Sequence, residues 1–311
     1  MPVTSQILRH DHAKSPDSVC FAMTRTEKTV ILFACVILFC YICVQNRKCV
    51  IMRIPLDFSL NIRGRLVDLS AVKVMGIVNC TPDSFFRAGA SDDVWDADIL
   101  DIGAYSTRPG HGDVSEEEEK NRLKAFFGSH KELTVGDRLM SVDTFRASVA
   151  RMCVEEYGVG MVNDVSGGAD REMFRTVAEL GVPYVLTHSG EYRGLSEMMK
   201  ELIEKVQTLR DLGQNDIVID PGFGFGKTLD DNYDVLANLE QLHLLDLPIL
   251  VGLSRKSMIQ KALGCTASEA LNGTTALNTI AVMKGARILR VHDVKEAREI
   301  VRLWEERIRR G

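Results

Sequence analysis

Eight short apolar runs separated by helical patterns constrain this chain more than any other feature. The runs fall at residues 72–78, 97–102, 139–142, 160–162, 183–186, 217–219, 248–251 and 286–291. Between most of them apolar positions recur with helical spacing, over 116–127, 146–156, 171–180, 195–212, 231–244, 268–284 and 294–309. Strands alternating with helices predict a parallel sheet, and eight such units predict an α/β fold closed into a (β/α)8 TIM barrel. Ahead of the first run, residues 54–69 alternate and turn at Arg63-Gly64-Arg65, which predicts an N-terminal β-hairpin under the barrel.

One interval breaks the rhythm. About seventeen residues separate the first run from the second, and Thr81-Pro82-Asp83-Ser84 and 87–93 are loop-forming. A parallel crossover takes roughly a dozen residues and usually a helix. Only 92–96 remain for it, one turn at most, so the first helix is expected to be missing or reduced.

The chain has 311 residues, more than the roughly 250 of a simple barrel, and the surplus lies at the N-terminus. Residues 29–44 are apolar apart from Thr29, and five of the eight cysteines fall before residue 50. Sixteen residues are short of the ~20 that a helix needs to span a bilayer, although Arg25, Lys28, Arg47 and Lys48 flank the run as they would an anchor. The segment therefore reads either as a membrane tether or as sequence outside the working protein, with Met52 as its natural start. On this reading 1–51 is an extension and 52–311 is one barrel domain.

Cys80, Cys153 and Cys265 show no metal spacing and read as ordinary thiols of a reducing cytoplasm. The formal net charge is −5, and no Lys/Arg stripe is interleaved with aromatics, so nucleic acid is not expected as a partner. The acidic run 116–119 follows Ser115 and reads as a capped first helical turn.

Chemistry gathers where the runs end. Asn79, Asp101, Asp143, Asn163, Asp220, Lys256, Arg290 and His292 come from seven of the eight strands, and in such a barrel the strand ends share one face. Asp101, Asn163, Asp220 and Lys256 offer the donors and acceptors that the edge of a flat nitrogen heterocycle needs. Asn79, Arg290 and His292, with Thr81 close behind, suit a diphosphate, with Mg2+ held by the Asn79 oxygen and phosphate oxygens. Gly222-Phe223-Gly224-Phe225-Gly226-Lys227 lacks dinucleotide-loop spacing and instead reads as a loop over the mouth, with Phe225 as an apolar wall. Ser257 opens a helical stretch and reads either as a holder of a substrate carboxylate or as a plain N-cap.

These motifs resemble dihydropteroate synthases, from about residue 74 to 297. The resemblance rests on Met75-Gly76-Ile77-Val78-Asn79-Cys80-Thr81-Pro82-Asp83-Ser84-Phe85, Asp101-Ile102-Gly103-Ala104-Tyr105-Ser106-Thr107-Arg108-Pro109-Gly110, Ser141-Val142-Asp143-Thr144, Asn163-Asp164-Val165-Ser166, Asp220 to Lys227, Ser254 to Ser257 and Arg290 to Asp293. It implies the joining of a dihydropterin methyl diphosphate to 4-aminobenzoate in folate biosynthesis, with sulfonamides competing for the second site. It implies further that Asp101, Asp143, Asn163, Asp220, Lys256 and Arg290 hold the pterin. Thr107, Arg108, Pro109, Phe225 and Ser257 would hold 4-aminobenzoate, Asn79, Arg290 and His292 the diphosphate, and Asn79 the Mg2+. Asp101, Asp143 and Lys256 would carry catalysis, and a homodimer is expected.

Two departures from that family's pattern stand out. The first loop runs Phe86-Arg87-Ala88-Gly89 where the family has a small residue, Asp and two glycines, and Thr187-His188-Ser189 stands where Met-His-Met is common. With the short first crossover, they keep a non-catalytic pterin-binding protein in view. The other alternative, a pterin-dependent methyltransferase domain, has no use for the Thr107-Arg108-Pro109 loop or the Arg290/His292 pair.

Overall fold

Alternation with period two puts Leu60, Ile62, Val67 and Leu69 on one face of the hairpin formed by β1 (Ser59–Ile62) and β2 (Arg65–Asp68), and all four are buried. Arg63 (φ 54°) and Gly64 (φ 76°) both take left-handed backbone, the twist a two-residue hairpin turn requires. The computed structural model describes residues 57–80, 92–105 and 114–310, all within the compact unit Ile51–Gly311. Residues 29–44 and Met52, on which the anchor and start-site readings rest, lie outside the described residues.

The barrel follows in chain order. Strand β3 (Lys73–Asn79) leads through a 3-10 turn (Asp92–Asp96) to β4 (Ile99–Gly103), and α1 (Glu116–Ser129) and α2 (Lys131–Val135) lead to β5 (Leu139–Asp143). Then come α3 (Ala147–Tyr157), β6 (Met161–Asp164), α4 (Met173–Leu180), β7 (Tyr184–Thr187), α5 (Leu195–Asp211) and β8 (Ile217–Asp220). The last units are α6 (Leu229–Ala237) with a 3-10 helix (Leu239–Leu245), β9 (Leu250–Val251), α7 (Ser257–Leu263), α8 (Leu271–Met283), β10 (Ile288–Val291) and α9 (Val294–Arg310).

The eight strands β3 to β10 pair in parallel in the order β8-β7-β6-β5-β4-β3-β10-β9. A parallel bridge between Ile219 and Ile249 joins the two ends of that order and closes the ring. Met75, Ile99, Met161, Val185, Val218, Leu250 and Ile288, near the strand starts, form one cluster with the hairpin's four apolar residues. The hairpin thus plugs the N-terminal end, leaving the strand C-termini as the open mouth. The opposite face of each strand packs under the helices in a second, larger core.

The described part of the crossover from β3 to β4 is seated closely on the strand. Residues 81–91 lie outside the described residues, and the described part of the link begins with the 3-10 turn Asp92–Asp96. Val94 is buried against β3 at Gly76, where an added Cβ would lie 2.9 Å from Ala97 Cβ and 3.2 Å from Val294 Cγ2. Arg138 donates to the carbonyls of Ala97 (2.9 Å) and Trp95, and Arg298 Nε donates to that of Asp96 (2.6 Å). Glycine in the strand lets the turn and α9 close directly over β3.

Two helical expectations change. The pattern over 231–244 divides at Asn238, whose Nδ2 donates back to the Asp234 carbonyl at 2.9 Å, and a 3-10 helix follows. The pattern over 268–284 narrows to α8, preceded by α7, the helical stretch expected to open at Ser257. Helix α7 is seven residues long, buries Met258 and Ile259, and stops at Gly264 (φ 64°), too short to print a periodic stripe. No helix among the described residues is long and apolar enough to cross a membrane.

Candidate active site

Period-two alternation aims every second strand residue into the barrel, so the side chains two positions above the apolar plug line its mouth. Asp101 follows Ile99, Asn163 follows Met161, Asp220 follows Val218 and Arg290 follows Ile288. All are buried or nearly so, with Asp101 at 0% exposure. Burying that much charge demands partners.

Arg290 supplies them. Its Nε donates to Asp101 Oδ2 at 2.6 Å and its Nη2 to Asp143 Oδ2 at 2.5 Å, so one guanidinium spans the ends of β4 and β5. Asn163 Nδ2 donates to the same Asp101 oxygen at 2.9 Å. Asp101 Oδ1 and Asn163 Oδ1 are buried with no protein partner, two acceptors aligned for something the protein does not supply. Gly103 makes room for Asp143, since a Cβ on it would stand 3.2 Å from Asp143 Cβ.

Electrostatics follow from burial. Burial pushes the Asp143 carboxyl up to about 7, with Arg290 opposing and Asp101, Asp164 and Glu119 adding to the rise. Asp220 is also raised by burial, against Gly222 N–H, which donates to its Oδ1 at 2.8 Å, and against Lys256 and Arg290. Burial pushes Lys256 down to about 8 despite the attraction of Asp220. Against its own burial, Arg290 is held protonated by Asp101 and Asp143.

Lys256 caps α7 from the loop after β9, and its Nζ sits 4.4 Å from the centre of the Phe225 ring. Ser257 is the first residue of α7 and exposed, so the plain N-cap expected of it belongs to Lys256. Arg255, just before, holds φ 53°, a left-handed value uncommon for a non-glycine residue. It is kept there by a two-pronged pair with Asp293, Nη2 to Oδ1 at 2.7 Å and Nε to Oδ2 at 3.0 Å. Ser254 Oγ lies 3.3 Å from His292 Nδ1, which ties the β10 end to the same loop.

Asn79 stands exposed at the end of β3, paired in register with Gly103. Thr107, Arg108, Pro109 and Thr81 lie outside the described residues. The described ends of the second loop are anchored: Arg146 pairs with the buried Glu119, donates to the Val114 carbonyl at 2.7 Å and lies over the Phe145 ring. Among the described residues no group of three His, Cys, Asp or Glu side chains could hold a metal on its own. Cys80 and Cys153 are buried thiols, pushed up by burial, and Cys265 is partly exposed.

The structure therefore brings Asp101, Asp143, Asn163, Asp220, Lys256 and Arg290 together, with Phe225, Ser257, His292 and Asn79 on adjoining strand ends and loops. It adds residues that the sequence reading passed over: Arg255 and Asp293, Lys227 with His188 and Glu201, and the buried hydroxyls of Ser141 and Thr187, which have no protein partner. Lys227 and Asp293 stood inside quoted motifs, but pairing over 38 or 39 positions leaves no local signal.

A family model described as pterin binding enzyme matches residues 75–292. Dihydropteroate synthase of Clostridium beijerinckii is 39% identical over 257 residues, covering 76% of this chain and 94% of its own length. That of Escherichia coli is 37% identical over 271 residues, covering 78% and 94%. Among solved structures, Xanthomonas albilineans dihydropteroate synthase with 4-aminobenzoic acid aligns with a TM-score of 0.72 at 35% identity, over 80% of this chain and 98% of that one. The 7,8-dihydropteroate synthase of Vibrio fischeri gives 0.74 at 34% identity, over 82% and 99%.

Proposed function

The chain belongs to the dihydropteroate synthase family of pterin binding enzymes, and from that premise we infer how the residues at its barrel mouth divide the reaction. The enzyme is a transferase of folate biosynthesis: it joins (7,8-dihydropterin-6-yl)methyl diphosphate to 4-aminobenzoate, releasing diphosphate and giving 7,8-dihydropteroate. The methyl carbon–oxygen bond breaks with its electron pair leaving on diphosphate, and the aromatic amine forms the new carbon–nitrogen bond and loses a proton.

Asp101, Asn163, Asp220 and Lys256 hold the pterin edge, and Asp143 sits beside the ring. Asp101 and Asp143 stabilise positive charge that develops on the pterin as the leaving group departs. Arg290 and His292 receive the diphosphate, and Arg290 also covers the ring. Phe225 and Ser257, with Thr107, Arg108 and Pro109, take 4-aminobenzoate, the place where sulfonamides compete. The work is positional and electrostatic, and no covalent nucleophile is called for.

The observation that carries this division is the fork of Arg290 between Asp101 and Asp143. It puts one fixed cation and two carboxylates in a buried site, the charges needed to part an anion from a cation. Asn79 offers one amide oxygen at the mouth, a donor set that fits Mg2+, since that ion keeps several waters and takes its other oxygens from substrate phosphates. Bound there with the diphosphate, Mg2+ would offset the negative charge of the leaving group.

Two further readings complete the proposal. Ile280 and Met283 on α8, with Leu303 and Ile308 on α9, are exposed apolar side chains, which supports a homodimer through this face. The unbridged Cys80, Cys153 and Cys265 support a reducing, cytoplasmic setting.

The test is formation of dihydropteroate from the two substrates with Mg2+. Asp101→Asn and Lys256→Ala are expected to lower turnover by about 10²–10³-fold with circular dichroism unchanged. Tight binding of the pterin diphosphate without any product would leave a non-catalytic pterin-binding protein.

A further inference from the structure

Lys227 closes the glycine-rich loop after β8, and nothing in the reaction described above uses it. Its Nζ is 3.0 Å from the Gly222 carbonyl oxygen, 3.1 Å from that of Phe225 and 3.1 Å from that of His188, in the loop after β7. The same nitrogen lies 3.0 Å from His188 Nδ1. An ammonium group only donates, so Nδ1 must present its lone pair and the ring proton must sit on Nε2. Nε2 faces Glu201 Oε2 at 3.2 Å, and the other Glu201 oxygen accepts from Arg193 Nη2 at 2.9 Å. The tautomer is thereby settled from both sides. His188 is 3% exposed, and burial holds it neutral, down to about 4.

The two loops meet backbone to backbone at this point. Gly222 has φ 70°, and a Cβ on it would lie 2.1 Å from the His188 carbonyl oxygen. Gly226 has φ 59°, and a Cβ there would lie 2.4 Å from the Gly190 carbonyl oxygen. Four acceptors, three carbonyl oxygens and His188 Nδ1, converge on the Lys227 ammonium, whose three N–H donors are shared among them. The residues it secures face the substrate. Gly222 N–H donates to Asp220 Oδ1 at 2.8 Å, and Phe225 carries the Lys256 ammonium on its ring.

We propose that Lys227, relayed through His188 to Glu201, is a positioning residue that locks the β7 and β8 loops together and so aims Asp220 and Lys256 at the pterin edge. The proposal rests on the pterin-binding role given to Asp220 above. It assigns His188 a specific duty, that of acceptor to Lys227, in place of proton transfer.

The test measures pterin diphosphate binding by calorimetry, and kcat and both KM values well below each variant's melting midpoint, for full-length Lys227→Met, His188→Gln, His188→Asn and Asp220→Asn. Lys227→Met is expected to weaken pterin binding about tenfold or more, the worth of charge-assisted hydrogen bonds, with KM rising more than kcat falls. His188→Gln reaches toward Glu201 but offers no acceptor at the Nδ1 position, and should match Lys227→Met. His188→Asn places its Oδ1 there and should recover most of the affinity. The double variant Lys227→Met/His188→Gln should be no worse than either single one, because both break the same relay.

A folded Lys227→Met with wild-type pterin affinity overturns the proposal, provided Asp220→Asn abolishes binding. If Asp220→Asn also binds normally, the pterin-site reading itself falls. Should Lys227→Met not fold, the two His188 variants decide: equal affinities for Asn and Gln overturn the relay.

Discussion

Asp143 and Lys256 are opposite charges pushed toward each other's titration range by the same cause, burial at the mouth of one barrel. Asp143 is raised to about 7 and Lys256 lowered to about 8. The proposed roles need Asp143 ionised and Lys256 protonated. Activity is therefore lost as pH falls through about 7 and again as it rises through about 8. In kcat/KM for the pterin substrate, which reports the free enzyme, a narrow bell is expected. Steady-state rates from pH 5 to 10 check it, and Asp143→Asn should lose the acid limb along with most of the rate; a profile flat across the range would remove both residues from the chemistry. The identity of these residues was legible from the chain because Asp143 follows directly on the apolar run 139–142 and Lys256 follows closely on the run 248–251. Their charge state was not legible, because it depends on burial that closure of the barrel creates and on partners such as Arg290, which reaches Asp143 across 147 positions of sequence.

At the scale of elements, the described part of the first crossover depends on one close approach to β3. A 3-10 turn and the start of α9 pack directly on β3, and Gly76 is what allows it. Gly76→Val is expected to destabilise the enzyme by about 1–3 kcal/mol through overpacking against Val94, Ala97 and Val294, read as a lower urea midpoint. An unchanged midpoint would show that the turn is not seated on the strand. The shortness of this crossover could be read from residue count alone, as could the strands, whose boundaries hold to within two residues. The division of 231–244 at Asn238 could not, since side-chain return to the backbone interrupts a periodicity that continues through it. Arg255 makes the same point for loops: its left-handed φ is sustained by Asp293, 38 positions away.

For the whole molecule, the hairpin plug and the mouth are two ends of one stack of inward-facing side chains. Apolar residues near the strand starts form the plug, and polar residues near the strand ends are those proposed to carry the reaction. A chain beginning at Met52 keeps both ends and is expected to retain full solubility and activity, measured by the yield of protein after centrifugation and by product formation. An insoluble or inactive product would show that residues 1–51 belong to the working enzyme. Periodicity and the order of residue types were enough to determine the barrel, the hairpin and the ring of strand-end groups from Asn79 to His292, because alternation along each strand is a local property that composition writes directly. Tertiary structure alone decided what those groups do to one another. The Arg290 fork, the Arg255–Asp293 pair and the Lys227–His188–Glu201 relay each join residues from different strands or loops, and such meetings follow from closure of the sheet, which brings distant parts of the chain within hydrogen-bonding reach.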